Sequence, residues 1–334
     1  MDSIRLEGLV RELEGRVSFD GFELVVVSGG TLSGLRHAYS DLDLYAVPKA
    51  GNTVESSLHQ ISGIVVQLNV ISRDSFDQII ETYRSFRIST IDKSQIHDHL
   101  RWQKLGSRFV TGVKVHSTDR GASEFNQISR DAYRHLVMTC SSIQMGRMLE
   151  DALGGLRSSD LLIADRAADI ALAEGLSVVL AGVGELHYGE SLLWRRVFTH
   201  PALSHLGHEL YAMTRITSTN MSESSQLIRS IVARCSTASF LASKLVLDAW
   251  EVEAERVDVD LSTVMGDGVQ RSPFVHILRL SDAMSLTGLD KAYRTNIGTA
   301  NAWLQADGRT RLPESVEEQF LRRGLLVNLD EFWR

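Results

Sequence analysis

Val25-Val26-Val27-Ser28-Gly29-Gly30 is followed, ten residues later, by Asp41-Leu42-Asp43-Leu44-Tyr45. The valine run reads as a buried strand. Gly29 and Gly30 let the backbone turn sharply and present bare N–H groups at the start of a helix, which suits a phosphate. A second strand is expected over 41–47. Its carboxylates, Asp41 and Asp43, stand at i and i+2 and project from one face. Two aspartates on one face beside an anion-binding turn suit Mg²⁺ bridging a nucleoside triphosphate.

The combination is far more specific than either half. Ser28-Gly29-Gly30, about ten residues, then Ser40-Asp41-Leu42-Asp43-Leu44-Tyr45 resembles the nucleotidyltransferase superfamily related to DNA polymerase beta. The resemblance implies an α+β fold, in which a nucleotidyltransferase-type domain with a mixed sheet is followed by a helical bundle. It also implies transfer of a nucleoside monophosphate from an NTP, ATP above all. Asp41 and Asp43 are then the catalytic residues and the Mg²⁺ ligands. Ser28, Gly29 and Gly30 hold the phosphates, and Arg36, between the two halves of the motif, reaches the triphosphate. Arg84, Arg87, Lys104 and Lys114 are weaker candidates for that contact, since helix charges are more often solvated.

In such families a third carboxylate comes from a neighbouring strand. Here that strand is the β-branched run Ile64-Val65-Val66-Gln67-Leu68-Asn69-Val70-Ile71. Gln67 and Asn69 share the relevant face, and both are amides. An amide oxygen can coordinate Mg²⁺ but cannot take a proton from a hydroxyl nucleophile near neutral pH. Three outcomes follow. A different base, His37 or Glu55, serves a one-metal site; the nucleophile is already ionised; or nucleotide is bound and not transferred.

Bulk properties narrow the partners. A chain of 334 residues has room for two or three domains, and with 43% apolar and 23% charged residues it reads as globular. A net charge of −7 argues against a broad nucleic-acid surface and for a small-molecule or peptide acceptor. No apolar run approaches the ~20 residues that span a bilayer, and the N-terminus opens an amphipathic helix; no membrane partner and a cytoplasmic location are expected. Cys140 and Cys235 read as buried thiols in a reducing compartment.

Three domains are expected: 1–118, a helical bundle at 119–251, and a small C-terminal module at 273–334 after a linker at 252–272. Helices are read from Leu6 to Leu13, from Arg73 under a Ser72 cap, over 88–105, from Leu161 under Asp160, and from Ser222 to Trp250. Residues 109–115 read as loop or short edge strand. Gly184-Glu185-Leu186-His187-Tyr188-Gly189-Glu190-Ser191-Leu192-Leu193-Trp194 resembles a Gly-Glu-Lys-Trp-Leu-like segment of small-molecule nucleotidyltransferases, with Ser191 where that family has lysine. The C-terminus, through Leu278–Asp282, Ala302–Thr310 and Arg323–Leu326, resembles winged-helix domains of the PqqD type, which bind leader peptides. The plainer expectation is a small helical or α+β cap packed on the bundle.

Other polar clusters are weaker. His97 and His99 point to different faces of a helix. His205 and His208 share a face but lack the His-Glu-x-x-His spacing. The leading expectation is therefore an Mg²⁺-dependent transferase acting on a small molecule or peptide, in antibiotic modification or specialised metabolism. Its rivals are a silent nucleotide-binding protein and a peptide-recognition partner.

Overall fold

The opening amphipathic pattern forms α1 (Ser3–Glu14), and the valine run after it lies in β1 (Phe22–Ser28). The computed structural model describes residues 3–29, 41–189, 192–215, 224–261, 264, 269–289, 291–307 and 312–328. The chain divides into two units, one of residues 1–88, 92–136 and 186–192, the other of 89–91, 137–185 and 193–334. Gly30 and Arg36, expected at the phosphates, and Ser191 lie outside the described residues.

In the first unit, β1 is followed by β2 (Leu42–Pro48), β3 (Ser57–Ile61), β4 (Ile64–Val70), α2 (Arg73–Tyr83), α3 (Ser94–Thr111), β5 (Val113–Ser117), α4 (Asp119–Phe125) and the start of α5 (Arg130–Arg157). The strands join in the order β3-β4-β2-β1-β5. Only β2 and β4 run parallel, so the sheet is mixed and the fold class is α+β. One face carries Val25, Val27, Leu42, Leu44, Ala46, Val66 and Leu68, which close over Leu9 and Leu13 of α1. Each of the valine and leucine side chains contributes about 1.5–3 kcal/mol by leaving water. The opposite face carries Ser28, Asp43, Tyr45 and Gln67. There Tyr45 packs against Phe109 of α3, ring centroids 6.5 Å apart, and Phe109 against Phe76 of α2 at 5.1 Å.

Two expectations shift. The helix read over 88–105 runs from Ser94 to Thr111. Its expected first turn is held elsewhere: the amide and hydroxyl of Thr90 both donate to the carboxylate of Asp282, at 2.9 and 2.6 Å, and Asp92 accepts from the Ser94 amide. The edge strand β3 was not foreseen, because Ser57-Leu58-His59-Gln60-Ile61 lacks the β-branched density of its neighbours. Ser72 does cap α2, accepting from the Ser75 amide.

The second unit holds the rest of α5, then α6 (Leu161–Gly182), α7 (Leu193–Thr199), α8 (Ser204–Met213) and α9 (Ser224–Asp248). Asp160 caps α6 by accepting from the Ile163 amide. The small residues Ala164, Ala168 and Ala171 of α6 and Ala238 and Ala242 of α9 are fully buried. Within α9, residues 225–248 are long and apolar enough to cross a membrane, and most of that stretch is buried inside the protein. Cys140 and Cys235 are free and buried, and burial pushes both thiols up to about 12.

Strands return near the end: β6 (Val269–Arg271), β7 (His276–Arg279), β8 (Met284–Gly288) and β9 (Lys291–Thr295) precede α10 (Ile297–Leu304), α11 (Glu314–Arg322) and β10 (Leu326–Asn328). Strands of three to five residues are too short for alternation to announce them. The module is tied to α9, where the amide of Ile277 donates to Ser243 and the hydroxyl of Ser239 donates to the Val275 carbonyl. In the stretch 252–272, Val257, Leu261 and Val264 are buried.

Candidate functional site

Register sets the site. Ser28 pairs with Asp43 across β1 and β2, Asp43 with Gln67 across β2 and β4, and Gln67 with Leu58 across β4 and β3. Paired residues project to the same side of a sheet. Leu58, Gln67, Asp43 and Ser28 therefore form a row, and the amide expected to replace a carboxylate stands directly beside Asp43. Asn69 is one step further, opposite Tyr45, and its Nδ2 donates to the Leu44 carbonyl at 3.3 Å. That bond ties Asn69 to the backbone, so of the two amides Gln67 is the one placed toward the acidic pair.

Asp41 lies just outside β2, exposed at its entrance. Its charge is felt by Asp43, whose carboxyl is held above the ordinary carboxylate range by burial first and by Asp41 second. Arg108 and Lys104 oppose that shift. Both come from α3, one helical turn apart, so both reach the same side.

Arg108 is the residue that the sequence reading missed. Its Nη2 lies 3.9 Å from Oδ2 of Asp43, and its guanidinium carbon stands 5.8 Å from the centre of the Tyr45 ring. The expected helix ended at 105 and the next segment began at 109, so Arg108 fell between them. The available signal was Lys104 and Arg108 at i and i+4. The other basic candidates lie elsewhere: Arg84 and Arg87 pair with Glu81, and Lys114 is exposed on β5.

Gly29 is the point where these groups converge. Its φ of +107° is a conformation that side chains rarely adopt. A methyl there would sit 3.1 Å from Nη1 of Arg108 and 3.1 Å from Oδ2 of Asp43. The Oγ of Ser28 and the Nε of Arg108 are buried and have no hydrogen-bond partner among the described residues. Such groups favour a ligand that supplies the missing partners.

Comparison with known proteins adds little to this geometry. No family model matches the chain, and no curated protein matches it. A nucleotidyltransferase-like protein from Exiguobacterium sibiricum 255-15 is similar in structure over 75% of this chain and 81% of that one, with 12% identity and a TM-score of 0.36. That likeness is distant. The site stands on its own residues.

The residues fit one Mg²⁺ ion. Such ions are commonly held by one or two carboxylates together with substrate phosphates, and Asp41 and Asp43 with the amide oxygen of Gln67 match that need. They do not fit two. Among the described residues no three His, Cys, Asp or Glu gather as a metal site, and the Arg108 guanidinium stands 3.9 Å from Oδ2 of Asp43. The histidines set aside in the sequence behave as core or surface groups. His99 is buried between Tyr83 and Tyr133, with its pKa lowered to about 3 by desolvation, and His205 and His208 are exposed.

The helix bearing Arg108 is rigidly placed. At Gly106 a methyl would come within 2.3 Å of the Tyr83 ring, so only glycine lets α3 lie this close to α2. One residue on, Ser107 donates to the Leu186 carbonyl at 3.0 Å and accepts from the Tyr188 amide at 2.9 Å. The Gly184–Trp194 stretch singled out in the sequence thus contributes residues 186–188 to the turn that carries Arg108.

Proposed function

We propose that this site binds a nucleoside triphosphate and transfers its nucleoside monophosphate to a small-molecule or peptide acceptor. The observation that carries this reading is the row Ser28, Asp43 and Gln67 beside the left-handed Gly29, with Asp41 at its entrance. Ser28 and the Gly29 amide would hold phosphate oxygens, and Asp41 and Asp43 would hold Mg²⁺. The ion, when bound, neutralises the triphosphate and polarises the α-phosphorus toward in-line attack. The net charge of −7 supports a small or peptide acceptor over a nucleic acid. Antibiotic modification and specialised metabolism are the settings this chemistry suits.

A second reading has its own observation. Gln67 occupies the register position beside Asp43 and accepts no proton near neutral pH, which favours binding without transfer. Pyrophosphate release from each NTP, with Mg²⁺ and a panel of acceptors, separates the two. Under the transferase reading, Asp43→Asn lowers turnover by about 10³-fold or more, the loss of a charged group from the transition state. Full activity in that variant would show that the metal has been assigned to the wrong residues. Tight NTP binding by the wild type with no pyrophosphate from any acceptor favours the silent reading.

A further inference from the structure

We infer that Arg108 is the site's built-in counter-charge to the triphosphate, so that the nucleotide binds in the absence of any divalent metal. The inference rests on the nucleotide reading above and goes beyond it. Three observations converge. First, Nη1 of Arg108 and Oδ2 of Asp43 both lie 3.1 Å from where a Cβ on Gly29 would stand, and Gly29 takes a φ of +107° at the end of β1. A phosphate bound beside Gly29 therefore meets the guanidinium directly. Second, Arg108 is incompletely paired. Its contact with Asp43, at 3.9 Å, is at the outer limit of an ion pair, and its buried Nε has no partner among the described residues. Its guanidinium also bonds to the Tyr45 hydroxyl, yet a planar guanidinium offers five donors in a fixed fork that matches two phosphate oxygens, so donors beyond that bond remain for an anion. Third, Gln67 brings no charge to the position beside Asp43. A second divalent ion there would gain no third carboxylate.

The surroundings keep Arg108 in place. Gly106 packs on Tyr83 and Ser107 bonds to residues 186–188, so the turn does not have to be ordered when the anion arrives. Lys104, one turn back and exposed, adds a second positive charge on the same side of α3. The arrangement divides the work: Asp41 and Asp43 face one cation, and Arg108 does for the phosphates what a second one would do.

Calorimetric titration of the full chain with ATP, and in parallel with GTP, CTP and UTP, tests this at low ionic strength, in EDTA and in Mg²⁺. The wild type should bind its preferred NTP in EDTA within about 10-fold of its affinity in Mg²⁺. Charge-assisted hydrogen bonds of this kind are worth enough that Arg108→Gln should weaken binding about 30-fold in EDTA, and much less in Mg²⁺. Arg108→Lys, which keeps the charge on this side of α3, should recover part of the metal-free affinity. A wild type that binds only with Mg²⁺ overturns the role of Arg108 and leaves the nucleotide site standing, as does an Arg108→Gln variant that binds normally in EDTA. A wild type that binds none of the four NTPs in either buffer overturns the nucleotide reading itself.

Discussion

Two arginines in this protein meet aspartates in opposite ways. In the second unit, Arg234 of α9 is almost wholly enclosed, and its guanidinium is divided between Asp165 and Asp169 of α6. Its Nε donates to the Ser230 carbonyl and its Nη1 also reaches the Asp165 carbonyl, so all three nitrogens are engaged. Arg108 has one aspartate at 3.9 Å, the Tyr45 hydroxyl and ring, the ring centre at 5.8 Å, and an Nε with no described partner. Both helices carry a cation toward acids. One arrangement is closed and holds helices together; the other is left open and is suited to accept a ligand. Completeness of hydrogen bonding distinguishes a structural ion pair from a site, where burial and charge alone do not.

Breaking the closed arrangement should have the largest effect on stability. Arg234→Ala removes the cation that two carboxylates share, and breaking a buried pair from one side typically costs about 3–5 kcal/mol. Asp165 and Asp169 keep some exposure and can rehydrate, which places the expectation near the lower end. Urea unfolding followed by circular dichroism reads it directly. A loss below about 1 kcal/mol would mean that the triad behaves like a surface pair and that the contrast with Arg108 does not hold.

The open arrangement predicts a smaller change of the opposite sign. The carboxyl of Asp43 is raised by burial and by Asp41, more than Arg108 and Lys104 lower it. Between the unfolded value of about 3.9 and its higher folded value, the native state binds more protons than the unfolded one. Stability from this group is therefore present below that window and is lost as pH rises through it. At neutral pH the ionised Asp43 is a net burden, so Asp43→Asn should melt at a higher temperature than the wild type while losing turnover. The difference should close as pH falls below the ordinary carboxylate range. If the variant melts lower at pH 7, the pairing with Arg108 outweighs desolvation, and the site is less open than its geometry indicates.

The same contrast shows which parts of the structure were readable in the chain. Residues 22–28, 41–47 and 64–71 announced β1, β2 and β4 because β-branched runs bounded by glycine and polar residues have few other conformations. With those strands came the α+β class and the amide face of Gln67 and Asn69. The rest depended on contacts distant in sequence. Helix α3 begins at Ser94 because Asp282, nearly two hundred residues on, holds Thr90 out of it. That shift carried the helix end past Arg108 and joined it to Lys104. No local pattern distinguishes a lysine or arginine beside Asp43 from the solvated Arg84 and Arg87. Nor does pattern tell that Asn69 bonds to the Leu44 carbonyl while Gln67 stands beside Asp43.

The smallest expected effect belongs to a third arginine, which serves as the reference for the other two. Arg84, just past the end of α2, pairs with Glu81 of that helix at 3.4 Å, and both side chains are more than half exposed. It also donates to Gln127 at 3.0 Å. Water competes for every one of these bonds, and exposed pairs of this kind are worth about 0.2–1 kcal/mol. Arg84→Ala should therefore lie near the bottom of that range in urea unfolding and leave NTP affinity unchanged, in EDTA as in Mg²⁺. If it weakens NTP binding as much as Arg108→Gln does, the loss reflects the removal of a positive charge anywhere on the protein. The specific geometry at Gly29 would then no longer be needed to explain it.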